Sequence, residues 1–136
     1  GKVACGCVVQ AVSGLSADVS KMAGFHLPIV AYPLQAMVTQ PVKPFLDPHV
    51  SSSALHCYVH QTSRGEIVIG GGSDPYPLYG TRSTLELKEG LIASAVEMFP
   101  FMSEMRLMRQ WAGVTDMTSD YPVVDVVNPN LILLIN

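Results

Sequence analysis

The chain has 136 residues, of which 49% are apolar and 14% charged, and its formal net charge is −3. These proportions exclude a disordered tail, and the charge provides no electrostatic basis for binding nucleic acid or an acidic membrane. No apolar run reaches the ~18 residues of a membrane span, and we expect no secretory signal. The cysteines (Cys5, Cys7 and Cys57) have no disulfide-framework spacing, which predicts free thiols in a cytoplasmic compartment.

The first third of the chain predicts two strands around one short helix. Residues 3–9 are rich in valine and cysteine and predict a strand. A helix is predicted over 17–23, with Ser16 as its N-cap and Gly24 after its end. Residues 35–40 then predict a second strand, which stops at Pro41 because proline cannot donate to a sheet ladder.

The middle of the chain predicts a hairpin followed by a long loop. Residues 55–62 and 66–70 alternate as strands do and are joined by a short turn at 63–65. The three consecutive glycines, Gly70 to Gly72, open a segment that reads as a loop as far as Gly80.

The last third predicts a helix and then three strands. Ser83 or Thr84 caps a helix that runs to about residue 99, with apolar positions near every fourth residue. Residues 105–115 predict a strand, although 105–108 could instead extend a helix. Residues 123–127 and 131–135 flank Asn128-Pro129-Asn130 and predict a second hairpin. We therefore predict an α+β fold, a largely antiparallel sheet with helices on one face.

The ends of the chain favour a piece of a longer protein. The sequence opens inside a strand-like run and closes on the apolar residues 131–135. Complete domains seldom finish on a bare apolar strand, because its free edge invites association. We expect residues 1–136 to form a single partial domain, and we expect the isolated chain to self-associate.

The glycine triplet does not match a phosphate-binding motif. A dinucleotide fingerprint requires G-x-G-x-x-G between a strand and a helix, and a P-loop requires a following Lys-Ser/Thr. Neither pattern is present around Gly70 to Gly72. The triplet instead predicts a backbone that turns sharply or passes close to a flat group.

Aromatic and imidazole side chains alternate along the predicted strand 55–62. Strand alternation places His56, Tyr58 and His60 on one face and Cys57 on the other. The outer two histidines would stand ~13 Å apart along such a strand, too far to share a metal ion. The face predicts either the polar lining of a pocket or simple solvent exposure, and no metal site is expected.

Several sequence blocks together resemble one family of flavoenzymes. The blocks are V-V-Q-A-V-S-G at 8–14, K-M-A-G at 21–24, P-L-Q-A-M-V-T at 33–39, Y-V-H-Q-T at 58–62, G-E-I-V-I-G at 65–70 and R-Q-W-A-G at 109–113. Their order and spacing resemble the FAD-dependent oxidoreductases that oxidise N-methylated or secondary amino acids. Within that family the chain is most similar to the beta subunits of heterotetrameric sarcosine oxidases.

The resemblance implies that the chain is most of a substrate-binding domain, whose sheet lies over the flavin. It implies FAD in the longer protein but none bound to this chain, which would be inactive alone, and it implies the other sarcosine oxidase subunits as partners. The implied substrate is sarcosine (N-methylglycine), with a related oxidase or dehydrogenase of another amine, such as dimethylglycine or glycine, as the alternative within the family. A non-enzymatic ligand-binding or interaction domain is the alternative from a different class. No catalytic residue is implied. The implied substrate-binding residues are Tyr58, His60, Gly72, Arg109 and Thr115, and the implied cofactor-binding residues are Gly14, Gly70 and Gly71.

Overall fold

The computed structural model describes residues 1–118, 123–128 and 131–135. Its two α-helices are α1 (Ser16–Met22) and α2 (Leu85–Met98), and short 3-10 helices span Ser13–Leu15 and Pro100–Glu104. The eight strands are β1 (Val8–Gln10), β2 (Val30–Thr39), β3 (Val50–Ser52), β4 (Cys57–Gln61), β5 (Ile67–Ser73), β6 (Leu107–Met117), β7 (Val123–Asn128) and β8 (Leu131–Ile135). None of the helices in these ranges has the length and apolar character needed to cross a bilayer.

The chain divides into two compact units, and the first contains a three-stranded sheet. This unit consists of residues 1–32, 77–79 and 114–136. Its strands lie in the order β1-β8-β7, with β1 parallel to β8 and β7 antiparallel to β8. Helix α1 also belongs to this unit, and the Gln10 side chain holds it: Gln10 Nε2 donates to the Ser16 carbonyl at 2.9 Å and to Ser20 Oγ at 3.0 Å.

The second unit, residues 33–76 and 80–113, contains most of the sheet that matters most for function; residues 30–32 of β2 and 114–117 of β6 are counted with the first unit. The five-stranded sheet has the order β3-β4-β5-β2-β6, and the pairs β3–β4, β4–β5 and β5–β2 are antiparallel. Helix α2 packs on β4 and β5. One face of the sheet and one stripe of α2 therefore form the core, which contains Met37, Cys57, Val59, Ile67, Ile69, Leu91, Ala95 and Met102.

The predicted α+β class is confirmed, and so are most of the elements. Helix α2 lies within the predicted range, and the two predicted hairpins appear as β4–β5 and β7–β8, although the turn residues Pro129 and Asn130 lie outside the described residues. Residues 107–117 form strand β6, so the alternative of a helix continuing through 105–108 is wrong.

Four local predictions need correction. Ser16 is the first residue of α1 and Leu15 occupies the N-cap position; the fully buried Ser16 Oγ has no hydrogen-bond partner among the described residues, so Ser16 does not cap the helix. Strand β1 starts at Val8, because only residues 8–10 find a partner, in β8. Strand β2 starts at Val30 and includes Pro33, next to a register shift between Leu34 and Ala36 where the ladder is already interrupted.

The fourth correction concerns the glycine triplet. Gly70 to Gly72 continue strand β5 to Ser73 instead of opening the loop. Local sequence favoured a loop because glycine is unfavourable in strands. The neighbouring strands β4 and β2 both pair with Gly70, through Tyr58 and Ala36, and β2 pairs again with Ser73 through Leu34, so the sheet ladder holds the triplet at both ends.

Candidate functional site

The face of the five-stranded sheet opposite α2 carries the aromatic side chains predicted from the sequence. Cys57 and Val59 point into the core beneath α2, so Tyr58 and His60 occupy the other face. Their ring centroids are 6.4 Å apart. The structure thus brings together the two residues of β4 that the resemblance assigned to substrate binding.

His56 lies outside strand β4, so strand alternation does not place it on this face. Strand β4 begins at Cys57, and His56 precedes it with a φ of 46°, in the left-handed region. Histidine is one of the few residues other than glycine that adopt this conformation with some frequency. The prediction that His56 belongs to the strand is therefore wrong.

A histidine that the sequence did not single out joins the aromatic pair. The ring of His49 stacks on Tyr58, with centroids 5.2 Å apart and an interplanar angle of 25°, and meets His60 edge-on at 5.7 Å. His49 lies in a proline-bordered segment just before β3. The pairing of β3 with β4 places it there, and no local sequence pattern indicates that pairing. We refer to His49, Tyr58 and His60 as the aromatic cluster.

Gly70 lies directly beneath the Tyr58 ring. Tyr58 and Gly70 are partners in the β4–β5 ladder, and a Cβ built on Gly70 would overlap Cζ, Oη and Cε1 of Tyr58. The tyrosine can therefore lie flat over the strand only because residue 70 has no side chain. This contact gives a structural reason for glycine at one position assigned to cofactor binding.

The next two glycines have a different requirement. Gly71 has a φ of +131° and Gly72 a φ of +65°, which side chains disfavour, and a Cβ on Gly71 would overlap the His56 carbonyl oxygen. With Gly70 they form a stretch of β5 without side chains, next to the aromatic cluster. A flat group could approach this backbone closely.

Partial burial raises the pKa of the Tyr58 hydroxyl further above neutral pH. Desolvation raises the pKa of the Tyr58 phenol, and the nearby Cys57 sulfur raises that pKa further when it is charged. The pKa of Cys57 is itself raised by burial. At neutral pH Tyr58 is therefore a hydrogen-bond donor, and no described residue is in hydrogen-bond contact with its hydroxyl.

Arg109 lines a different part of the second unit. It belongs to a groove of about 1000 Å³ whose lining also includes Arg64, Glu66 and Trp111 but neither Tyr58 nor His60. Arg64 pairs with Glu66 at 3.2 Å. The hydrogen bond from Thr62 is the largest cause that lowers the pKa of Glu66, and the charges of Arg64 and Arg109 lower it further. This groove is a charged feature at the hairpin end of the sheet.

Gly14 and Thr115 belong to the first unit. Gly14 is buried, and a Cβ there would overlap the backbone and side chain of Val114. Ser13, with a φ of 45°, donates a hydrogen bond to the buried Asp116 at 3.1 Å. Thr115 is half-buried in β6, between these two contacts. The structure thus places Gly14 and Thr115 on neighbouring segments of one unit.

The described residues offer little for a metal ion or for the phosphates of a dinucleotide. Within residues 1–118 no three His, Cys, Asp or Glu side chains stand close enough to hold a metal. The backbone at Gly71 and Gly72, together with the adjacent aromatic cluster, has the shape to lie against a flat ring such as isoalloxazine. The pyrophosphate of FAD finds no G-x-G-x-x-G motif in these 136 residues.

The fold and the site define a class of protein. The sequence model of the FAD dependent oxidoreductase family matches residues 1–136, and the chain belongs to this family. The resemblance inferred from the sequence blocks is therefore confirmed at the level of the family.

Individual relatives make the similarity more specific. The chain is 40% identical over 120 residues to sarcosine oxidase subunit beta of Rhodobacter capsulatus, which covers 88% of this chain and 29% of the relative. It is 38% identical over 126 residues to sarcosine oxidase subunit beta of Rhizobium meliloti, covering 92% of this chain and 30% of the relative. The chain thus spans about a third of the length of these curated relatives.

Solved structures show the same fold. L-proline dehydrogenase from P. horikoshii superimposes with a TM-score of 0.88 at 28% identity, over 96% of this chain and 37% of that one. Iminodiacetate oxidase from Chelativorans matches with a TM-score of 0.85 over 98% of this chain and 37% of that one, and at 13% identity this likeness shows the fold alone.

Proposed function

We propose that this chain is the substrate-binding part of a longer FAD-dependent oxidase of sarcosine. The observation that carries the proposal is the sequence identity of 38–40% to sarcosine oxidase beta subunits, which extends over most of the chain. The aromatic cluster on the helix-free face of the sheet, beside the bare backbone of Gly70 to Gly72, supports it. In that longer protein the chain works with a flavin-binding segment and with the other subunits of a sarcosine oxidase.

In this proposal the flavin supplies the redox chemistry. The bound FAD would supply the acceptor for a hydride equivalent from the N-methyl carbon, the amine nitrogen would lose its proton, and water would hydrolyse the resulting imine to glycine and formaldehyde. The residues of this chain bind and orient the amine and carry no catalytic step of their own. Covering the reacting atoms with the sheet also excludes water from them.

Tyr58 is the residue proposed to hold the substrate's carboxylate. Its hydroxyl is protonated, free of partners among the described residues, and fixed over Gly70. A hydrogen bond from a phenol to a carboxylate is charge-assisted and contributes about 1.5–3 kcal/mol. His60 lies beside it, and its buried Nδ1 has no hydrogen-bond partner among the described residues; the proposal assigns His60 a second contact with the substrate.

The remaining assigned residues have lesser roles in the proposal. Gly70 makes room for the Tyr58 ring that would face the flavin, the side-chain-free backbone at Gly71 lets the flavin ring approach, and Gly72 keeps the end of the strand open to the substrate. The roles of Gly14 toward the cofactor and of Thr115 toward the substrate rest on the resemblance alone, and both residues belong to the first unit. Arg109 would add a positive charge that attracts the anionic end of the substrate.

A second candidate substrate is proline. L-proline dehydrogenase from P. horikoshii is 28% identical over nearly the whole chain, and its substrate is a cyclic secondary amine. The same carboxylate contact from Tyr58 would serve both substrates, since both carry a carboxylate next to the amine. The two candidates differ in the space required around the nitrogen.

The test uses the full-length protein that carries this chain, purified with its co-expressed subunits and saturated with FAD. Flavin reduction is followed under anaerobic conditions with sarcosine, dimethylglycine, glycine and L-proline in turn. The proposal expects sarcosine to have the highest kcat/KM, with formaldehyde formed in equal amount to the amine consumed. Preference for L-proline supports the second candidate, and no reduction by any of the four amines rejects both.

A further inference from the structure

We infer that His49 is a positioning residue, which holds the Tyr58 ring in the orientation that presents its hydroxyl to the substrate. The inference deepens the proposed function and rests on it for the identity of the substrate. Its structural part concerns only His49 and Tyr58, and can be measured without any substrate.

The strand register explains why His49 reaches this position. In the β3–β4 pair, Val50 lies opposite Val59 and Ser51 opposite Tyr58. One residue further along, position 49 falls opposite His60 and diagonal to Tyr58, on the face away from α2. Diagonal neighbours on one face of an antiparallel pair are within reach of aromatic side chains. The stacked contact at 5.2 Å is therefore a consequence of pairing, although His49 itself is exposed.

The Tyr58 ring depends on such contacts because its hydroxyl is not tied to the protein. No hydrogen bond holds that hydroxyl among the described residues, and the hydroxyl end of the ring fills the space that a Cβ on Gly70 would occupy. A ring on a glycine-lined strand could swing about its χ angles unless something supports its face. The supports that the structure shows are His49, stacked at an interplanar angle of 25°, and His60, which is tilted by 75°.

His49 and His60 support the ring in different ways. His60 is on the same strand as Tyr58 and moves with it, whereas His49 comes from the segment before β3 and ties Tyr58 to a second strand. Stacked aromatic pairs contribute an amount equivalent to roughly a 2- to 12-fold change in an equilibrium constant. Removal of His49 should therefore have a measurable effect on Tyr58 without disturbing the core.

The first test observes the Tyr58 ring itself. The full-length protein is labelled with 3-fluorotyrosine, and the Tyr58 resonance in the fluorine NMR spectrum is assigned by its loss in Tyr58→Phe. We expect His49→Ala to shift this resonance, because the ring current of the stacked imidazole is gone, and His49→Phe to keep it close to its original environment. His26→Ala, an exposed histidine elsewhere in the chain, is the control and should leave it unmoved. An unmoved Tyr58 resonance in His49→Ala overturns the inference.

The second test measures the consequence for substrate binding. In the holoenzyme, His49→Ala should raise the KM for sarcosine roughly 2- to 12-fold with little change in kcat, and His49→Phe should restore it. In the double variant His49→Ala/Tyr58→Phe, the effect should equal that of Tyr58→Phe alone, because His49 acts through the tyrosine. Fully additive effects would contradict this role.

The two tests separate the inference from the proposed function. A shifted resonance together with weakened acetate binding, in an enzyme that does not oxidise sarcosine, supports the positioning role and rejects the substrate. A normal KM in His49→Ala, together with a raised KM in Tyr58→Phe, rejects the positioning role and keeps the substrate. Binding of acetate, a carboxylate without an oxidisable amine, to the oxidised flavoenzyme should weaken in parallel with the KM effect. Unweakened acetate binding in His49→Ala also overturns the inference.

Discussion

At the scale of single residues, Tyr58 and Gly70 constrain each other across two neighbouring strands. The tyrosine ring occupies the space where a side chain on residue 70 would stand. The same contact leaves the hydroxyl free of hydrogen-bond partners among the described residues. Tyr58 thus supplies the hydroxyl group, and the absence of a side chain at its ladder partner Gly70 leaves space for the Tyr58 ring.

The first prediction concerns the proposed carboxylate contact. We expect Tyr58→Phe to raise KM for the amine more than it lowers kcat, because a contact with the carboxylate changes little while the distant methyl C–H bond breaks. A charge-assisted hydrogen bond corresponds to roughly a 10- to 150-fold decrease in kcat/KM. Steady-state kinetics of the full-length oxidase measures it, and an unchanged kcat/KM would remove Tyr58 from the pocket.

The second prediction concerns the space beneath the ring. Gly70→Ala should lower the free energy of unfolding by about 1–3 kcal/mol, because the new Cβ meets the Tyr58 ring and overpacks the face. Gly90→Ala is the matched control: Gly90 is exposed within α2 with nothing near its Cβ position, and alanine there should stabilise by about 0.5–1 kcal/mol. Urea unfolding of both variants measures the two changes in the free energy of unfolding. Equal stability of the two would mean that the ring moves aside at no cost.

At the scale of elements, one side chain on β4 holds the long connection between β2 and β3. Gln61 Nε2 donates to the carbonyls of Val42, Lys43 and Gly65, and Gln61 Oε1 accepts from the backbone amides of Phe45 and Leu46. The connection contains three prolines and cannot form a regular ladder of its own. The connection between β2 and β3 ends at His49, so the Gln61 hydrogen bonds also hold the segment that carries this member of the aromatic cluster.

The third prediction concerns this anchor. Gln61→Leu should destabilise the protein by about 1–3 kcal/mol, since partly buried backbone groups lose their partners. It should also speed hydrogen exchange at the amides of Phe45 and Leu46, which donate to Gln61 at 2.9 and 3.2 Å. Gln110→Leu, a change at an exposed glutamine of β6, serves as control. Slow exchange at both amides in Gln61→Leu would show that the connection is held by other contacts.

At the scale of the whole molecule, the chain combines two compact units within about a third of the length of its curated relatives. Its second unit has exposed apolar side chains on β6, with Met108 and Trp111 exposed by 61% and 43%. Such surface is typical of regions that meet another part of a protein. The dinucleotide fingerprint is absent from the sequence of these 136 residues.

The fourth prediction follows for the 136-residue chain purified by itself. It should retain no FAD after desalting, because it offers no motif for the pyrophosphate, and it should self-associate through exposed apolar surface and strand edges. Absorbance in the flavin bands and light scattering over a dilution series measure the two properties. Stoichiometric flavin on the desalted chain contradicts the first expectation, and a strict monomer at high concentration contradicts the second.

Local sequence determined the parts of this protein whose cause is local. The apolar period of α2, the short turn between β4 and β5, and the alternation that separates Cys57 from Tyr58 are properties of neighbouring residues, and each predicted its element correctly. The family could also be inferred from the sequence, because each block that indicates it is a run of consecutive residues. The side-chain face of a strand follows from a period of two without knowledge of its partners.

Tertiary structure decided what depends on partners distant in sequence. Strand β1 is limited to Val8–Gln10 because only these residues pair with β8, which lies more than 100 residues later along the chain. Gly70 to Gly72 are strand because β4 and β2 flank them, although glycine disfavours strands. His49 joins the aromatic cluster because β3 pairs with β4, and a lone histidine among prolines carries no local sign of that pairing. Strand register is a choice among non-local contacts, so only the folded chain selects it.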